Sequence, residues 1–162
     1  MIFAVILLSL FSRCTVHEPS PKDLEGPPTM SSSVENAPVV SFCDLVRHAA
    51  QYDKMVVRTR AILRRDQENQ SLDDPGCEGA DAAWVDFDPS YVYSDEKLRR
   101  RLTELIRPRA SKPVGVALVT VVGRFEGPAG GPYGHLDGYR SKFSIFRLEQ
   151  AEEAKSSANK SR

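Results

Sequence analysis

His135 and Asp137 stand two positions apart in the run Gly130-Gly131-Pro132-Tyr133-Gly134-His135-Leu136-Asp137-Gly138-Tyr139. Glycines let a backbone approach a ligand, and an imidazole beside a carboxylate can hold a metal ion or be oriented as a base. A zinc site, however, needs three or four protein ligands. The other histidines do not supply them: His17 lies in a Pro-rich stretch and His48 at the end of a short helical pattern. The simpler reading is a compact connection packed by its own Tyr133, Leu136 and Tyr139, with His135 in a structural role. No metal site and no cofactor are expected.

A second set of candidates is basic. Arg58, Arg60, Arg64 and Arg65 fall on one strand pattern, and Lys97, Arg99, Arg100, Arg101, Arg107 and Arg109 crowd one helical pattern. Trp84 and Tyr91 could add stacking surfaces of the kind single-strand nucleic-acid binders use. Against this stands the charge balance: 22 basic and 22 acidic side chains, net charge zero. A generic polyanion binder carries a basic excess. Pairs such as Glu96–Arg100, four residues apart, explain a solvated helix face equally well.

Nucleophilic chemistry has little support. There is no GxSxG, no Gly-rich loop ending in Lys-Ser/Thr and no Cys–His element with local context. Asp86 and Asp88 flank Phe87 and share a strand face, but beside Pro89 they read as a strand end. No catalytic residue is assigned. The three cysteines are Cys14, Cys43 and Cys77. With Cys14 lipidated or removed, Cys43 and Cys77 remain, and two cysteines in an oxidising compartment favour a disulfide. They are 34 positions apart, a loop that the chain-entropy argument values at roughly 3–4 kcal/mol. Two unrelated buried thiols are the alternative.

These residues need elements to position them. Ser41 can cap a short helix whose apolar face is Phe42, Leu45, Val46 and Ala49. Met55 to Arg64 alternates, with Val57, Thr59, Ala61 and Leu63 on one side, as a half-buried strand does. Gln67 to Asp74 is a weak returning strand, closed by the turn Asp74-Pro75-Gly76. Ala83, Val85 and Phe87 mark a third strand. Ser94 to Arg107 is a helix with Leu98, Leu102, Leu105 and Ile106 inward, Asp95 and Glu96 in its first turn and Arg107 in its last. Val114 to Phe125 is a long strand with Gly115 and Gly123 where it can bend. Lys142 to Leu148 is the last strand.

The N-terminal block points to export, the alternative being a fortuitous apolar N-terminus on a cytoplasmic protein. Met1 to Ser12 is almost wholly apolar, too short to span a membrane but the length of a secretory h-region. It lacks preceding basic residues; an n-region upstream of Met1 would supply them. Leu10-Phe11-Ser12-Arg13-Cys14 resembles a lipoprotein box, departing from it at Arg13. Residues 1–14 are therefore expected to be a signal with Cys14 as candidate lipidation site, and 15–38, with its five prolines and Ser31-Ser32-Ser33, a disordered tether. Residues 39–149 form the domain and 150–162 a disordered tail.

Three strands, a helix, then two strands is the element order of the OB-fold, a five-stranded Greek-key barrel. Val39 to Leu148 resembles the OB-fold modules of uncharacterised exported bacterial proteins. The resemblance rests on Phe42-Cys43-Asp44-Leu45, Val57-Arg58-Thr59-Arg60-Ala61, Asp74-Pro75-Gly76-Cys77, Val121-Val122-Gly123-Arg124-Phe125 and Tyr133-Gly134-His135-Leu136. It implies a mainly β, OB-like barrel with an N-terminal helix and a second helix between strands three and four. It brings no catalytic residue. The expectation is an exported, non-enzymatic binding module in the periplasm or anchored to the envelope membrane. Its partner would be a protein or envelope component, and the candidate contacts are Arg58, Arg60, Trp84, Tyr133, His135 and Asp137. A single-stranded nucleic-acid binder is the alternative, and a small metal-dependent enzyme centred on His135 is a third class.

Overall fold

The computed structural model describes residues 30–79, 81–93 and 96–154; the apolar N-terminal block, Cys14 and the helix cap at Ser94-Asp95 lie outside them. The chain is mainly β, with few and small helices: α1 Met30–Glu35, α2 Phe42–Arg47, α3 Ala49–Tyr52, β1 Val56–Arg65, β2 Gln70–Asp73, β3 Ala83–Tyr93, α4 Glu96–Ile106, β4 Gly115–Glu126 and β5 Lys142–Glu153. The strands form one mixed sheet whose hydrogen bonds run in a ring, β1-β2-β3-β5-β4 and back to β1. All pairings are antiparallel except β3 with β5.

Alternation produces the core. Val57, Thr59, Ala61 and Leu63 on β1 are buried while Val56, Arg58, Arg60 and Ile62 face outward. Leu72, Ala83, Val85, Val119, Val121, Phe143, Ile145 and Leu148 fill the inside of the ring from the other strands. Phe42 and Leu45 join them from α2, and Leu102 and Ile106 from α4. Ser41 caps α2 as its sequence requires, its Oγ accepting from the Asp44 N–H at 3.0 Å. Gly115 allows α4 to close on β4, because a Cβ there would run into the backbone carbonyl of Ile106. Gly123 lies against the Ser144 backbone, where the β4–β5 register shifts.

Four expectations are corrected. Part of the stretch read as a tether is structured: α1 forms, and Pro38 to Val40 add to β1, with Arg58 N–H donating to Pro38 O at 2.8 Å and Val40 N–H to Arg58 O at 2.9 Å. Beside them Ala37, Val122 and Phe146 are buried outside the main core. Apolar groups on the outer sheet face give this short segment something to cover, which its own composition does not show. The second correction is at Pro89, which does not end β3. The strand continues to Tyr93, with its β5 pairing interrupted between Phe87 and Val92. Asp88 accepts the Ser90 N–H at 2.8 Å across the proline, satisfying the backbone where the ladder cannot. Third, β5 runs to Glu153 because β4 is long enough to pair with it as far as Ala117. Fourth, α4 ends at Ile106, so Arg107 lies beyond its last turn.

Candidate binding site

Trp84 alternates with buried Ala83 and Val85, so its ring stands on the outer sheet face, between Ser71 of β2 and Lys142 of β5. Its indole N–H donates to Asp86 Oδ1 at 2.9 Å, which engages one of the paired carboxylates structurally. The 15-residue connection from Gly127 to Ser141 folds back over this ring. Tyr139 packs on it with centroids 5.4 Å apart and planes at 57°. Gly134, at φ 76, lies so close that a Cβ would strike the Trp84 and Tyr139 rings. Tyr133 and Tyr139 pair through their backbones, N–H to O at 2.9 and 3.2 Å. The Tyr133 hydroxyl donates to Gly127 O at 3.1 Å. Lys142 Nζ sits 5.3 Å from the Tyr133 ring centroid and 3.0 Å from Glu126 Oε1. Burial, reinforced by Glu126, holds the Tyr133 phenol above its ordinary pKa.

The clamp carries a tip made of His135, Leu136 and Asp137. Leu136 was expected to pack inward; it is instead 87% exposed. It and Asp137 adopt left-handed backbone, φ 53 and φ 56. The turn lies between Gly134 and Gly138, within the backbone pairing of Tyr133 with Tyr139. His135 Nε2 lies 3.6 Å from Glu68 Oε2, not paired with Asp137, and both side chains are well exposed. Glu68 is presented by the β1–β2 turn, where Asp66 Oδ1 accepts from the Glu68 and Asn69 N–H groups at 2.8 and 2.7 Å. Those hydrogen bonds lower the Asp66 pKa. The sequence reading began a strand at Gln67, where the structure has this turn, and the meeting of Glu68 with His135 was not legible.

The structure therefore brings Trp84, Tyr133, His135 and Asp137 into one neighbourhood. Arg58 and Arg60 are engaged elsewhere. Arg58 donates to both oxygens of Glu149, at 2.8 and 3.0 Å, and to Ala37 O at 3.0 Å. The Glu149 carboxylate raises its already high pKa. Arg60 pairs with Glu152 at 3.0 Å, and Arg64 pairs with Asp73. On α4, Arg99 and Arg100 pair with Glu96. Five of these ten basic side chains are thus paired with carboxylates, Arg99 and Arg100 sharing one.

Cys43, on α2, and Cys77, in the turn after β2, come together with their Cα atoms 5.4 Å apart, a bridging separation. Among the described residues no group of three or more His, Cys, Asp or Glu side chains could hold a metal ion. No described helix is long and apolar enough to cross a membrane. No family model, curated protein or solved structure matches this chain.

Proposed function

We propose that this chain is an exported binding module of OB type that engages a protein or another envelope component through the tip of its β4–β5 loop, with no chemistry of its own. The barrel reading is supported by the element order, by the ring of pairings that joins β1 to β4, and by α4 lying between β3 and β4. In OB-folds the face of strands two and three and the β1–β2 and β4–β5 loops are the usual binding surface. Export is supported by the apolar block Met1 to Ser12, with Cys14 as the candidate anchor, and by two cysteines at bridging separation.

One observation carries the reading. Leu136 is held fully outward in left-handed backbone at the head of a loop clamped by two tyrosines. Left-handed backbone costs an L-residue roughly 1–2 kcal/mol, and an exposed leucine recovers nothing from burial. A residue that costs backbone energy and gains nothing from burial is suited to a contact made outside the chain. The nucleic-acid alternative is weakened by the same geometry: Trp84 is already covered, and Arg58 and Arg60 already have carboxylate partners.

A photo-crosslinking amino acid at position 136 of the full chain, expressed in its native host, should give a discrete adduct. The same group at exposed Gln51 should not. Leu136→Gly should remove competition for the adduct while leaving stability unchanged or slightly higher. Absence of an adduct at 136, together with a labelled single-stranded oligonucleotide bound with affinity falling steeply between about 50 and 200 mM salt, would overturn the reading.

A further inference from the structure

Three of the four arginines on β1 are paired with carboxylates, Arg58 with Glu149, Arg60 with Glu152 and Arg64 with Asp73. The fourth, Arg65, is exposed and has no such partner among the described residues; neither does Arg107, just beyond α4. Both lie on one pocket of about 400 Å³. Its floor is apolar: Phe87 and Tyr91 of β3, and Leu102 and Ile106 of α4. The interruption of β3 around Pro89 brings the two aromatic rings edge to face, centroids 4.9 Å apart. Leu102 and Ile106 stand one turn apart on the buried side of α4.

We propose that this pocket binds a small amphipathic carboxylate, its apolar body on the Phe87–Tyr91 floor and its carboxylate between Arg65 and Arg107. A guanidinium presents paired donors that match the two oxygens of a carboxylate. Arg65 and Arg107 line one mouth without a carboxylate partner among the described residues, and a single anion there would serve both. The volume is at the small end of the range for small-molecule sites, which fits a short acid and not a long lipid. Arg65 lies at the far end of β1 from the Val39–Arg58 bridge, and no residue of the pocket belongs to the β4–β5 loop. The site is therefore independent of the loop-tip contact.

Calorimetric titration of the full chain with octanoate tests it, with 1-octanol and octylammonium as matched probes. Octanoate should bind in one equivalent and octylammonium should not. The double variant Arg65→Gln/Arg107→Gln should weaken octanoate by at least about tenfold and leave octanol unchanged. Thr103→Trp should abolish octanoate binding, because Thr103 lines the pocket and its hydroxyl serves only its own helix, donating to Arg99 O at 2.9 Å. Both positions of the double variant are exposed, so it carries the test if the Trp variant misfolds. The proposal is overturned if wild-type protein does not bind octanoate at millimolar concentration, or if the double variant retains wild-type affinity.

Discussion

Thr59 places a hydroxyl where its strand neighbours Val57 and Ala61 place methyl groups in the core. It is 1% exposed, and its Oγ1 has no hydrogen-bond partner among the described residues. Burying an unpaired hydroxyl costs roughly 1–3 kcal/mol by mutational measures. Thr59→Val keeps the shape and removes the polar atom, so it should raise stability by about 1 kcal/mol. Urea unfolding should show a higher midpoint with an unchanged slope; a lower midpoint would mean the hydroxyl is satisfied in solution. Arg58, one residue earlier and facing outward, shows the opposite case. Its type was visible in the sequence, but its partner Glu149 is 91 positions away, so a structural ion pair read as a candidate ligand contact.

At the scale of one element, α4 owes its first turn to Glu96. Its carboxylate accepts from Arg99 and Arg100, three and four residues on, and these hydrogen bonds lower its pKa from 4.5 to about 2. A carboxyl whose folded pKa lies below its unfolded value stabilises above the unfolded pKa and loses that contribution as pH falls through the folded one. The helix start should therefore be at full strength at neutral pH and loosen as pH drops from about 4.5 towards 2. The side chains are half exposed, so the effect is local and screened by salt. A carboxyl NMR titration should give a Glu96 midpoint near 2, and Glu96→Gln should remove the pH dependence of amide protection, measured against the intrinsic exchange rate, in the first turn of α4. A midpoint at 4.5 would show the pairs absent in solution. The Glu96–Arg100 pair was readable from spacing alone; the i+3 pair with Arg99 needed the side-chain geometry.

For the molecule as a whole, Cys43 and Cys77 matter most. Cys43, on the helix that follows the Pro38–Val40 segment bonded to β1, faces Cys77 in the turn after β2, and Cys77 is 6% exposed. A bond there closes a 34-position loop. Alkylation of the full chain, isolated from its host without reductant, before and after reduction should show both thiols masked, and Cys77→Ser should cost about 2–5 kcal/mol in thermal or urea unfolding. Labelling of both without reductant would show the bond unformed.

Local periodicity by itself determined the inward face of β1, the Ser41-capped helix and the inner stripe of α4, because side-chain alternation and capping act over a few residues. The Val57–Leu63 face and the Ser41 cap were complete in the sequence. The turn chemistry of Asp74-Pro75-Gly76 and the glycines of β4 were legible for the same reason. Tertiary structure alone decided which strand paired with which, that residues 37–40 fasten onto β1, and that β3 passes through Pro89. It also decided which arginines are spent on carboxylates, that Arg65 and Arg107 line one pocket, and that Leu136 stands outward. Each of these depends on groups brought together from tens of positions apart, and ring closure, not spacing, sets those meetings.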